Sequence, residues 1–130
     1  MYNGGVKIKK GEKTMEIIST ELYEDEKWFK ENQSTYNMVL EYLLEKGFKE
    51  KLVGTTYLAE LLTMSLRQKY SSSSMSEYYG FIAYRHGIKD VSIQRKIYNS
   101  CAKIGVQPKE FVESSWQALR IRQGEKEIWS

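Results

Sequence analysis

Apolar residues recur every three or four positions through most of this chain, the 3.6-residue period of helices that bury one face. The set Met75, Tyr79, Ile82, Ala83 and His86 follows this rule, and after a short break so does Ile93, Ile97, Cys101 and Ile104. Upstream, Met38, Val39, Tyr42 and Leu43 predict one helix, and Tyr57, Leu58, Leu61, Leu62, Ser65 and Leu66 predict a longer one at the centre of the core. Leu22, Tyr23, Trp28 and Phe29 predict a helix from Thr20 to about Asn32, and Phe111, Val112, Ser115, Trp116 and Leu119 predict the last. Apart from Asn3-Gly4-Gly5 there is no hairpin signal of the Asn-Gly or Asp-Gly kind. The expected class is all-α, with about six helices.

Helix ends carry their own signals. Ser74-Met75-Ser76-Glu77 is a capping box, in which the serine hydroxyl accepts from the Glu77 amide and the Glu77 carboxylate reaches back to the Ser74 amide. Ser34 or Thr35, Thr55-Thr56 and Asp90 are expected N-caps for three other helices. Gly47 and Gly87 are expected to end helices, Pro108 to occupy the first position of the last one, and Gly124 to stop it. Arg120 and Arg122 then fall near a helix end, as dipole-complementing charges or as phosphate contacts. The run Ser71 to Ser74 reads as a connection feeding the capping box. These signals divide the chain into a basic mobile arm over residues 1–19, a helical domain over 20–124 and a tail over 125–130.

Composition changes the picture only slightly. At 130 residues, 41% hydrophobic and 13% aromatic, the chain can bury a core without metal or disulfide. No apolar run approaches a membrane span and no secretory leader is visible, so a cytoplasmic location is expected. Net charge is only +3, but it is unevenly spread. Residues 21–50 hold four basic and eight acidic groups, whereas residues 84–130 hold nine basic and five acidic. A polyanion would dock on the C-terminal part and be repelled by the 21–50 segment.

Catalytic chemistry finds no constellation. The lone His86 lies beside Gly87, where a C-cap contact or partial burial accounts for it, and Cys101 sits on an apolar stripe as a small core residue. No metal-ligand spacing, activated nucleophile or phosphate-cradling glycine loop is present in the sequence. Neither an enzyme, a cofactor nor a small-molecule substrate is expected.

What remains is the region from Ser74 to Ile104, two predicted helices joined by Gly87-Ile88-Lys89-Asp90. A helix-turn-helix needs a small residue where its helices meet, a residue tolerant of positive φ in its turn and an apolar anchor early in its second helix. Ala83, Gly87 and Ile93 fit these roles. The other side of the second helix, 91–104, then presents Ser92, Arg95, Asn99 and Lys103, with Lys96 on its flank and Lys89 in the turn. Arg95 suits a guanine edge and Asn99 an adenine edge, while Lys89, Lys96 and Lys103 suit phosphates.

Three runs carry a family resemblance: Glu45 through Leu58, with its Lys46-Gly47, Val53-Gly54 and Tyr57-Leu58 steps; Tyr79-Gly80-Phe81-Ile82-Ala83; and Ser92-Ile93-Gln94-Arg95-Lys96-Ile97. In order and spacing these resemble the C-terminal DNA-binding effector domain of the sporulation master response regulator of endospore-forming bacteria. The likeness covers about residues 36–124, including Gln107-Pro108-Lys109-Glu110-Phe111-Val112, which is similar to that family's final helix. It implies an all-α fold of roughly six helices around a helix-turn-helix, binding duplex DNA as tandem or dimeric copies. The family's recognition helix is richer in arginine; Ser92 and Tyr98 stand here where arginines are expected, and Arg95 is kept. Residues 1–34 are too short for that family's receiver domain, so control by a phosphorelay is not expected.

Two readings follow. The first is a sequence-specific DNA-binding transcription regulator with the 91–104 helix in the major groove. The second is a protein-interaction module of the same fold that antagonises or modulates a related regulator, using Tyr78, Tyr84 and Tyr98 or the acidic 21–50 segment.

Overall fold

A computed structural model of the chain describes residues 26–67 and 74–129, with side-chain environments through residue 124. The expected N-terminal arm, the start of the helix at Thr20, the contacts of Leu22 and Tyr23, and Ser71 to Ser73 lie outside the described residues. All regular structure among the described residues is helical. The chain divides into two units, Met1–Asn32 and Gln33–Ser130.

In the first unit residues 26–31 are helical, and Asn32 closes the turn by donating both its amide and its side-chain Nδ2 to the Trp28 carbonyl. The Trp28 and Phe29 rings meet edge to face, 4.9 Å between centroids.

The second unit holds five helices: α1 (Gln33–Glu45), α2 (Val53–Arg67), α3 (Met75–His86), α4 (Asp90–Ala102) and α5 (Pro108–Trp129). Helix α2 is the centre, packed against the other four. Leu58, Leu61, Leu62 and Thr63 are fully buried, and Ala59, Glu60 and Met64 complete a surface hidden nearly all round. Tyr42 of α1 and Phe111 and Ser115 of α5 close one side. There the Tyr42 hydroxyl donates to Ser115 Oγ at 3.0 Å, and Phe111 stacks at a tilt on Phe48.

The capping box forms as read: Ser74 Oγ accepts from the Glu77 amide, and Glu77 Oε1 accepts from the Ser74 amide at 2.9 Å. Gly87 ends α3 at φ 69°, a left-handed turn that costs a residue with Cβ about 1–2 kcal/mol, and its amide and that of Ile88 both return to the Ala83 carbonyl. The same return closes α1, from the Phe48 amide to the Leu43 carbonyl.

The other expected caps fall inside helices instead. Helix α1 already begins at Gln33, and Thr35 is buried within it. Helix α2 begins at Val53 because the Leu52 carbonyl takes the Thr55 amide, leaving Thr55 buried with an unpartnered hydroxyl. The N-cap of α4 is Lys89, whose carbonyl takes the Ser92 and Ile93 amides, so Asp90 is the first helical residue and the turn is the three residues 87–89. Gly124 does not stop α5, which runs on to Trp129 through the residues expected as a tail. Its backbone stays right-handed there, and a lone glycine costs a helix only about 1 kcal/mol.

Two features of α2 fix its neighbours. Gly54 lies against α4 so closely that a Cβ there would fall well inside contact distance of the Lys96 carbonyl oxygen and the Ser100 hydroxyl. Glu60, though charged, is buried; its carboxylate takes Arg85 Nη1 at 3.0 Å and His86 Nε2 at 2.9 Å, both from the end of α3.

Gly54→Ala should therefore destabilise the fold by about 1–3 kcal/mol or more, the usual cost of overpacking. Gly80→Ala, whose Cβ meets nothing within 4 Å, should stabilise it by about 0.5–1 kcal/mol through helix propensity. Urea unfolding of the two variants tests the contrast, and equal effects would refute the close approach. Glu60→Ala, which removes a buried carboxylate paired with both Arg85 and His86, should cost about 3–5 kcal/mol in the same assay.

Candidate nucleic-acid interface

The face of α4 is set by what its other side must bury. Ile93, Ile97 and Cys101 are fully buried and Ile104 is half-buried, which turns the residues half a turn away toward solvent. The outermost ridge is Val91, Arg95, Tyr98 and Ala102, at i, i+4, i+7 and i+11 and all exposed. Asn99 and Lys103 are exposed beside it, while Ser92 and Lys96 are half-buried. Lys96 and Ser100 flank the side that meets Gly54. Lys89, in the turn, is exposed. Four of the six residues read from the sequence share α4, with Lys89 in the preceding turn and Lys103 at the C-cap, because the helix expected over 91–104 ends at Ala102; Ser92 and Lys96 sit lower on it than the polar pattern alone suggests.

The sequence reading leaves Val91 and Gln94 out of the site and gives Tyr98 as a partner contact and as a position where an arginine is expected. Val91 and Tyr98 lie opposite Ile93, Ile97 and Cys101 in helical register, where a search for polar residues passes over them, while Gln94, seven residues before Cys101, borders the buried side. Tyr79, Val91, Gln94, Arg95 and Tyr98, together with residues 107–110 at the start of α5, line an open groove of about 760 Å³. Lys109 brings a cation to its rim.

Three arginines elsewhere in the unit are engaged internally, whereas Lys49 and Lys51, between α1 and α2, are exposed. Arg85 is held by Glu60, Arg122 pairs with Glu45 at 3.1 Å and lies over the Tyr42 ring, and Arg120 covers the Trp116 ring at 4.8 Å. Because α5 continues past them, Arg120 and Arg122 are mid-helix residues and not terminal charges. No ion pair with another described residue ties down Lys89, Arg95, Lys96, Lys103 or Lys109.

The His86 side chain pairs with Glu60 and does not cap its helix. The imidazole Nε2 lies 3.1 and 2.9 Å from the two Glu60 carboxylate oxygens, and the ring packs against Tyr57 with centroids 5.0 Å apart. Burial first, then the negative charge of Glu60, push the Tyr36 and Tyr57 hydroxyls above their ordinary value; a hydrogen bond with Thr56 partly offsets this at Tyr36. Tyr78, expected on a partner surface, is buried, while Tyr84 and Tyr98 are exposed. No group of three or more His, Cys, Asp or Glu among the described residues could hold a metal ion, and no helix among them is long and apolar enough to cross a membrane.

Comparisons of the chain with family models, with curated proteins and with solved structures found no match.

Cys101 is fully buried, and burial pushes its thiol up to about 11 from an ordinary 9.0. A raised thiol value favours the folded state while the thiol stays neutral. Its contribution is complete below about pH 9 and is lost as pH rises from about 9 through 11, where the unfolded chain ionises first. Urea unfolding of the wild type and Cys101→Ala across that range should show the stability gap narrowing; a constant gap would contradict the assignment.

Proposed function

We propose that the chain is a helix-turn-helix DNA-binding module in which α4 enters the major groove. The observation that carries this reading is the α4 face: Arg95 at the crest, Asn99 and Lys103 beside it, all exposed and directly after a three-residue turn. Ala83 buried where α3 meets its neighbours, Gly87 in the left-handed region and Ile93 fully buried support the same motif. Within that class we read the protein as a transcription regulator of the type of the sporulation response regulator's effector domain, a reading that rests on the sequence runs given above.

In this arrangement Arg95 pairs with a guanine edge and Asn99 with an adenine edge, the two side chains whose fork geometry fits those bases. Ser92, lower on the helix, serves a base edge or sugar near the helix start. Lys89, Lys96 and Lys103 hold phosphates, fixing register without reading sequence. The family likeness also proposes two copies on adjacent sites.

The groove beside Val91 and Tyr98 favours a second reading, a protein-interaction module of the same fold. Salt separates the two, because duplex binding weakens steeply as counterions compete for phosphates. Selection from random duplexes followed by mobility shifts should give salt-sensitive binding. Arg95→Ala should relax preference at one guanine at a cost of about 1–3 kcal/mol, and Lys103→Ala should weaken all sequences alike and lower the salt slope by about 1. No shift with any duplex at low salt would overturn the DNA reading.

A further inference from the structure

Val91 is the second residue of α4 and 56% exposed, and Tyr98, two turns on, is 49% exposed. Both stand on the ridge that carries Arg95. Beside Arg95 these two side chains give the ridge apolar surface that a partner with an apolar group of its own can cover. The first turns of a recognition helix are the part that meets base edges. In the major groove, thymine alone among the four bases offers an apolar group, its 5-methyl.

Resting on the DNA reading above, we infer that α4 reads a thymine with Val91 next to the guanine read by Arg95. Valine has no donor or acceptor, so placing it against an adenine or cytosine amino group would leave that group dry and unpaired. Against a thymine methyl nothing polar is stranded. The two side chains are i and i+4 on one face, about 5–6 Å apart at Cβ, and base pairs rise about 3.4 Å per step. The thymine therefore falls within about two base pairs of the guanine. Tyr98 and Gln94 wall the same groove and limit what else can enter it.

Replacing thymine by uracil removes the methyl group and leaves every hydrogen-bonding atom in place. In a duplex obtained by selection, each thymine is exchanged singly for uracil and the Kd measured for the wild type and for Val91→Ala. The substitution is on an exposed residue, and its thermal unfolding is checked against the wild type. At one thymine, within about two base pairs of the position where Arg95→Ala relaxes preference, the exchange should weaken wild-type binding about fourfold, the weight of one methyl group withdrawn from water. In Val91→Ala the same exchange should change Kd by less than about twofold, for want of a contact to lose. If every exchange is neutral while Arg95 still selects its guanine, the inference fails and the DNA reading stands. If the exchange weakens both proteins equally, the methyl is read by another residue and the assignment to Val91 fails. Capture of a peptide by the groove with no shift of any duplex overturns both.

Discussion

Glu60 is a carboxylate placed in the middle of a helix that the rest of the unit buries, and the arrangement of its neighbours answers to that. A charge taken out of water is tolerable only when paired and hydrogen-bonded. The partners are Arg85 and His86, the last two residues of α3. The point where α3 ends is therefore tied to a fixed position on α2, and with it the place where Gly87 reverses the chain toward α4. Six residues earlier on α2, Gly54 admits the α4 backbone. A single central helix so governs both members of the two-helix motif, one by charge and one by the absence of a side chain.

What the sequence disclosed depended on how local each interaction was. The Ser74 and Glu77 box and the Gly87 reversal are settled by hydrogen bonds within a few residues, and both were legible. Pro108 at the first position of α5 was legible for the same reason. Thr55, Thr56 and Asp90 have the right chemistry for caps, yet tertiary contacts and the Leu52 and Lys89 carbonyls start their helices earlier. Glu60 was illegible altogether: one acidic residue among leucines reads as the wet side of an amphipathic helix, and its partners are 25 and 26 residues away. The helix that is now α4 was legible from its apolar stripe, and the six candidates lie on it or at its ends, but a search for polar residues passes over Val91 and Tyr98 on its outward ridge.

The distribution of cations gives the modest net charge a direction. Arg85, Arg120 and Arg122 lie against a carboxylate or an aromatic ring and contribute to cohesion. No ion pair with another described residue holds Arg95 or the lysines around α4, so these cations are available to a partner at the exposed ridge. Helix α1, bearing the exposed Glu41 and Glu45, contributes charge of the opposite sign.

The contact at Gly54 separates what holds α4 from what α4 presents. Its depth against α2 is set by a main-chain carbonyl and one small hydroxyl, and its roll by three buried apolar residues. None of these belongs to the outward ridge. Natural variation can thus rewrite Val91, Arg95, Tyr98 and Asn99 without disturbing how the helix is seated. The outward ridge can therefore change in a handful of codons while the framework beneath it keeps the same packing.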